Sequence, residues 1–220
     1  MGKNKNDLIP ASTRTETALD MAAFVGSVIP WIGGPVSNVL SGISAGRKFT
    51  RIREVLEGLV EDLKEFKSKV SEEYVKTEDF EDLLEQTLKR AAEERIDEKR
   101  RIYRKFLIDA IEFPGEQYDE QLRFLRSFEK LQLDHLKIIH ALSKEPDPNP
   151  NMTGSPKKTL RNRLPDMPEN RIEELINQLN DMRLTNLTSL KVMMKGRGAE
   201  NLRHFVTPYG QRFLKYITEA

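Results

Sequence analysis

The stretch that decides the fold is Met21–Gly46, MAAFVGSVIPWIGGPVSNVLSGISAG. It contains no charged side chain, although Asp, Glu, Lys and Arg make up 32% of the chain. A helix should end before Pro30, because proline disfavours helical backbone in the residue that precedes it. A second helix can begin near Pro35, which suits a first helical turn. The stretch therefore predicts an apolar helical hairpin over residues 21–46, joined by a turn in which the paired glycines 33–34 adopt positive φ.

An uncharged hairpin either lies in a protein core or meets a membrane, and the sequence leaves both interpretations open. Each arm is about 10 residues long, whereas a spanning helix needs about 20. In a membrane or assembly role the contacts would be Phe24, Val28, Ile29, Trp31, Ile32, Val36, Val39 and Leu40. The basic residues that follow, Arg47, Lys48, Arg51 and Arg53, would then bind anionic headgroups or a partner. In the alternative interpretation the hairpin is the buried centre of a helical bundle.

The sequence predicts only helices and their connections up to about residue 130. Residues 1–14 are expected to be flexible, and residues 15–130 to form the bundle. Apolar residues recur at helical spacing from Phe49 to Phe66, and Thr77 is an N-cap for the next helix. The charged run Glu93–Arg101 predicts a solvated helical face with pairs at i,i+4 spacing. Asp97 favours two helices here rather than one.

A second domain is predicted over residues 131–220. A short helix at Leu133–Leu142 precedes a Pro- and Asn-rich stretch, so residues 144–157 are expected to form a mobile loop. Further helices are predicted at 158–164, 168–183 and 208–217. Two strands are predicted at 187–194 and 204–207, with a turn at 195–198 between them.

This order of elements resembles a winged-helix domain, as does the closing phrase Phe205-Val-Thr-Pro-Tyr-Gly-Gln-Arg-Phe213. The predicted fold class is therefore mainly α, an N-terminal helical bundle followed by a small winged-helix-like α+β domain. The resemblance implies DNA binding through the helix at 168–183. That helix carries Glu169, Glu173, Glu174 and Asp181, so phosphate attraction is weak there and protein contact is favoured. Basic residues that would contact nucleic acid at another angle are Lys157, Lys158, Arg161, Lys191, Lys195, Arg197 and Arg203.

No catalytic, metal-ligating or cofactor-binding constellation is predicted. The absence of cysteine excludes disulfides, thiolate metal sites and cysteine nucleophiles. His135 and His140 are five residues apart on one helix and do not share a face. His204 stands alone. The net charge of +1 is not that of a general nucleic-acid binder, and no small-molecule substrate is evident.

The overall layout resembles bacterial or phage-linked helical proteins that combine a Gly/Pro-rich apolar hairpin with a C-terminal winged helix, loosely like abortive-infection membrane effectors. This resemblance implies a non-enzymatic, antiviral defence-type effector or accessory subunit that works by protein assembly and conditional membrane association. A protein partner or homo-oligomer is expected, in the cytoplasm or peripheral to the inner membrane, because the polar N-terminus is unlike a secretory signal. A DNA-binding transcriptional regulator is the alternative.

Overall fold

A computed structural model describes residues 11–28, 32–43, 46–65, 72–112, 118–147 and 153–217. The described part is mainly helical, as predicted, and its one sheet has two short strands. The helices are α1 Ala11–Gly26, α2 Gly33–Ser41, α3 Arg47–Glu65, α4 Glu72–Val75, α5 Glu78–Glu93, α6 Asp97–Glu112, α7 Tyr118–Lys130, α8 Leu133–Ser143, α9 Pro156–Arg163, α10 Glu169–Asp181, α11 Gly196–Glu200 and α12 Pro208–Ile217. The strands are β1 Thr153–Gly154 and β2 Met194–Lys195. The chain divides into unit 1, residues 1–126 with 216–220, and unit 2, residues 127–215.

The core of unit 1 forms where the apolar stripes of its helices meet. Helix α1 packs on α2, α2 packs on α5, and α3 packs on both α5 and α6. The α3 stripe is buried as its spacing predicted, through Ile52, Val55, Leu56, Leu59, Val60 and Leu63. Helix α1 begins at Ala11, inside the stretch 1–14 that was predicted to be flexible, and a short helix, α4, precedes α5.

The paired glycines of the hairpin do not form the predicted turn. Gly33 and Gly34 begin α2, and Gly46 is the glycine with positive φ, 119°, among the described residues. Gly33 serves a close helix contact instead. A Cβ at this position would lie 3.0 Å from the Ala22 carbonyl oxygen and 3.7 Å from the Gly26 Cα. Glycine therefore lets the backbones of α1 and α2 touch, which a larger side chain would prevent.

The turn between α5 and α6 confirms the prediction of two helices. Thr77 caps α5, accepting a 3.2 Å hydrogen bond from the Phe80 amide, and α6 begins at Asp97.

The charged run Glu93–Arg101 is not wholly solvated. Lys99 is only 6% exposed, and its Nζ lies 2.9 Å from a Glu94 carboxylate oxygen. A buried charge requires such a partner, since an unpaired ammonium in the core is strongly unfavourable.

The predicted β-hairpin of unit 2 is wrong in both strands. β1 pairs with β2, Thr153 opposite Lys195 and Gly154 opposite Met194. Between 187 and 193 the buried residues are Leu187 and Leu190, a spacing of three that does not suit a two-sided strand. Residues 195–198 are not a turn but run from β2 into α11, and Leu202–Phe205 forms a 3₁₀ helix. The predicted mobile loop 144–157 likewise contains β1 and the start of α9, while its residues 148–152 lie outside the described part.

Residues 205–213, the closing phrase of the sequence, begin α12 through hydrogen bonds and a close backbone contact within unit 2. Thr207 donates from its hydroxyl to the Arg183 carbonyl at 2.6 Å and accepts from the Gly210 amide at 2.9 Å. Gly210 itself sits against the backbone, because a Cβ there would lie 2.1 Å from the Leu184 carbonyl oxygen. The Thr-Pro-Tyr-Gly phrase thus caps α12. It also places the first turn of α12 against the backbone of Arg183 and Leu184, which follow α10.

Candidate functional site

The side chains of the apolar hairpin mostly face the core of unit 1. Ile32, Val36, Val39 and Leu40 are at most 4% exposed. Val28 is half-buried, and Phe24 is 39% exposed with the Lys64 ammonium 5.6 Å from its ring centroid. The predicted contact residues Ile29 and Trp31 lie outside the described residues. Within the described residues no helix combines the length and apolar character needed to cross a bilayer.

Two of the basic residues that follow the hairpin, Lys48 and Arg51, connect α3 to the end of α5. Arg51 donates from Nη1 to the carbonyls of Ala92 at 2.8 Å and Glu93 at 3.2 Å, and so satisfies the C-terminal carbonyls of α5. Lys48 pairs with the Glu93 carboxylate, and Arg53 Nε lies 3.7 Å from Glu57. Arg47, at the start of α3, is exposed. The structure therefore gives Lys48, Arg51 and Arg53 internal partners.

In unit 2 the local backbone brings two basic segments to one place. The Lys157 amide donates to the Leu190 carbonyl at 2.9 Å, so the first turn of α9 lies beside residue 190. Lys195 is opposite Thr153 in the sheet. Ser155, the next residue after β1, caps α9 by accepting from the Lys158 amide at 3.4 Å. We call the basic residues of these neighbouring segments the basic end; they are Lys157, Lys158, Arg161, Lys191, Lys195 and Arg197.

A cleft of about 650 Å³ opens at the basic end. Lys157, Lys158 and Arg161 line it from α9, and Glu169, at the start of α10, lines it as well. The Glu169 carboxylate lies 2.5 Å from Lys157 Nζ and 3.8 Å from Arg161 Nη1. The hydrogen bond from Lys157 lowers the pKa of Glu169, with smaller contributions from the charges of Arg161 and Lys191. The cleft is thus lined by three cations and two carboxylates, because Asp166 lines it as well.

The electrostatic setting of the basic end favours an anion. Residues 127–215 carry 15 Lys and Arg against 10 Asp and Glu, whereas the rest of the chain carries 21 against 25. Unit 2 therefore has a positive net charge, although the net charge of the whole chain is near zero. The amides at the start of α9 add partial positive charge, as at any helix N-terminus. Lys158, Arg161, Lys191, Lys195 and Arg197 are exposed.

Acidic residues of α10 and Arg203 are the other charged residues of unit 2 to consider, and Glu173 lies next to the basic end because it lines a small cleft together with Lys191. The exposed side chains of α10 include Glu173, Glu174 and Asp181, as predicted. Arg203, predicted as a nucleic-acid contact, donates from Nε to the Ser143 carbonyl at 2.7 Å and pairs with Glu145 at 2.7 Å. It therefore stabilises the 3₁₀ helix against the end of α8 rather than joining the basic end.

His135 is a structural residue. It is 2% exposed; its Nδ1 accepts from the Gln132 amide at 2.9 Å and its Nε2 lies 2.7 Å from Gln178 Oε1. Burial lowers the pKa of His135. His140 and His204 are exposed. Among the described residues, no group of three or more His, Asp or Glu side chains is placed to hold a metal ion.

Sequence reasoning missed one exposed feature beside the basic end. Val192 is 49% exposed and Met193 is 69% exposed. Their apolar character predicts a strand, in which alternation would bury one of the two side chains. The available signal was the pair of lysines, Lys191 and Lys195, that flanks them.

Comparison with known proteins adds no relative. No family model matches the chain, and neither the curated proteins nor the solved structures include a significant match.

Proposed function

We propose that unit 2 is a nucleic-acid-binding module that docks the basic end onto the phosphate backbone of duplex DNA. The observation that supports this most is the convergence of three cations from two segments, Lys157, Arg161 and Lys191, on the Glu169 carboxylate. Phosphate contacts by Lys and Arg supply most of the affinity in non-specific nucleic-acid binding. The proposal assigns the chain a binding role and no chemical reaction.

The docking element in this proposal is α9 with residues 190–197, and α10 does not enter the groove. Exposed acidic side chains on α10 would be repelled by phosphates. The described order of α8, β1, α9, α10 and β2 resembles that of a winged helix, with strands of two residues each, and this likeness supports the proposal. We therefore propose the module as a winged-helix variant that binds through its second helix and the segment after its third.

The expected strength of binding follows from the number of cations. Each phosphate neutralised on duplex DNA contributes about −0.9 to the slope of log K against log salt. Six contacts would give a slope of about −5. The affinity should then fall by about a thousandfold between 50 and 200 mM salt, at the lower limit of the range for such proteins.

Fluorescence anisotropy with a labelled duplex at several salt concentrations tests the proposal. We expect the double variant Lys158→Gln/Lys195→Gln, which removes one cation from each segment, to reduce the slope by about 2. The control is Arg183→Asn, which removes one positive charge outside the basic end and should leave the slope unchanged. Arg183 follows α10, whose 13 residues place it about 18 Å from Glu169. Asparagine tolerates its φ of 58°. A slope that is equal in all three proteins would contradict the proposal.

Protein assembly through α1 is the second candidate function, and it retains the sequence-based hypothesis of a defence-type effector. Two large apolar side chains on this helix are exposed, Leu19 at 55% and Phe24 at 39%. Such residues are enriched in interfaces when they form a patch. Light scattering after size-exclusion chromatography tests it. An oligomer that Leu19→Glu converts to monomer would support assembly, and a monomer at every concentration would refute it.

Membrane association is tested separately by co-sedimentation with anionic and neutral vesicles. The buried hairpin would have to leave the core before Val36 or Leu40 reached lipid. Binding with dye leakage would support the effector hypothesis, and no binding by a folded protein would count against it.

A further inference from the structure

The segment Leu190–Lys195 presents an apolar tip in a basic setting. Val192 and Met193 stand out at 49% and 69% exposure, and they are two of five large apolar side chains exposed among the described residues. Lys191 and Lys195, also exposed, flank them. Exposed apolar side chains are hydrated at a cost in free energy. A partner that covers Val192 and Met193 would therefore gain binding free energy.

The tip is held at both ends. Leu190 is buried, and its carbonyl accepts the 2.9 Å hydrogen bond from the Lys157 amide. Met194 pairs with Gly154 in the sheet. Only three residues lie between these anchors, and no glycine or proline is among them. The tip therefore projects from a fixed base instead of swinging as a long loop would.

The amount of apolar surface decides between lipid and duplex as the partner. A myristoyl chain, with its long run of methylene groups at about 0.8 kcal/mol each, binds membranes only marginally. Val192 and Met193 together offer far fewer carbons and cannot anchor a protein in a bilayer in this way. One or two aliphatic side chains suffice, by contrast, to wedge between two base steps of a duplex, and Met is among the residues used.

We propose that Val192 and Met193 form a wedge that enters the minor groove of duplex DNA and partly unstacks two neighbouring base pairs. Lys191 and Lys195 contact the phosphates on either side, while the α9 cations hold the adjoining backbone. The inference rests on the proposed function, since the basic end brings the duplex to the tip. Its consequence is a bend, because such wedges kink the duplex by roughly 20–90°.

Energy transfer between dyes at the two ends of a short duplex tests the wedge, alongside anisotropy as a measure of binding. The full-length protein should shorten the end-to-end distance. Val192→Ser/Met193→Ser should abolish the bend and leave the salt slope unchanged, because no charge is removed. Met193→Leu keeps the tip apolar and should keep the bend, so it controls for general damage to the segment.

The outcomes separate the two proposals. Duplex binding by the wild type without a bend overturns the wedge and leaves the proposed function standing. Equal bends in the wild type and the double serine variant overturn it too. Absence of any salt-sensitive duplex binding overturns the proposed function and the wedge together. Sedimentation with anionic vesicles that depends on Val192 and Met193, without duplex binding, would assign the tip to lipid and overturn the wedge.

Discussion

Truncation of one hairpin side chain tests whether the hairpin stabilises the core of unit 1. Ile32 lies between the two arms, is 1% exposed and precedes α2 directly. In Ile32→Ala the hairpin loses three carbons and leaves a cavity in unit 1. Phe24→Ala is the matched control, because Phe24 is the larger side chain but is 39% exposed.

The expected magnitudes differ clearly. Three buried carbons at about 0.8 kcal/mol each, with a cavity contribution added, give about 3 kcal/mol for Ile32→Ala. Phe24 already contacts water, so its truncation should cost about 1 kcal/mol. For a unit of this size, each kcal/mol lowers Tm by roughly 3–4 °C. The melting temperature should therefore fall by about 10 °C for Ile32→Ala and by about 3–4 °C for Phe24→Ala.

Thermal melting followed by intrinsic fluorescence provides the assay. The single tryptophan of the chain, Trp31, is the sequence neighbour of Ile32, so its emission reports on unit 1. Circular dichroism on the same samples follows both units. The reasoning is refuted if Phe24→Ala lowers Tm as much as Ile32→Ala, or if Ile32→Ala leaves Tm unchanged while vesicle binding is lost.

Three further predictions concern unit 2. Glu169→Gln should strengthen duplex binding in the anisotropy assay, because it frees Lys157 from its carboxylate partner; weaker or equal binding would contradict this. The pKa of His135 is lowered in the folded state, so the free energy of unfolding should be fully present above the ordinary value of 6.5 and decrease as pH falls through the folded pKa. In urea titrations from pH 7.5 to 5, His135→Gln should flatten that dependence, and an unaltered profile would rule His135 out as its source. Gly210→Ala should lower the stability of unit 2 by about 1–3 kcal/mol by overpacking against the Leu184 carbonyl, whereas a stabilised variant would show that the backbone contact relaxes freely.

The helices of unit 1 were predictable because local patterns determine them. The apolar stripe of α3, the Thr77 cap and the new start at Asp97 depend on residues within one or two turns of each other. The role of Gly33 was not predictable in this way. Its need for glycine comes from Ala22 and Gly26 on the neighbouring helix, and not from the conformation of its own backbone.

The sheet of unit 2 could not be predicted for a related reason. Two strands of two residues each, at 153–154 and 194–195, are too short to alternate visibly. Their pairing joins segments about 40 residues apart in the chain. The predicted strand at 187–194 failed because apolar residues there divide between burial, as at Leu190, and exposure, as at Met193.

The candidate site was partly visible in the sequence. The sequence predicts all six cations of the basic end as possible nucleic-acid contacts, because Lys and Arg side chains are usually exposed. Their proximity depends on the hydrogen bond between the Lys157 amide and the Leu190 carbonyl. No local sequence pattern predicts a contact between residues so far apart in the chain. Arg203 belongs to the same sequence-based set, but the structure pairs it with Glu145.

The burial of the hairpin determines how much free energy its release from the core requires. Each buried aliphatic side chain contributes about 1.5–3 kcal/mol, so releasing Ile32, Val36, Val39 and Leu40 together costs at least about 6 kcal/mol. The open form would then be populated by fewer than about one molecule in ten thousand at equilibrium. Any membrane or partner that captures the hairpin must bind this rare form more than about ten-thousandfold more tightly than the closed one.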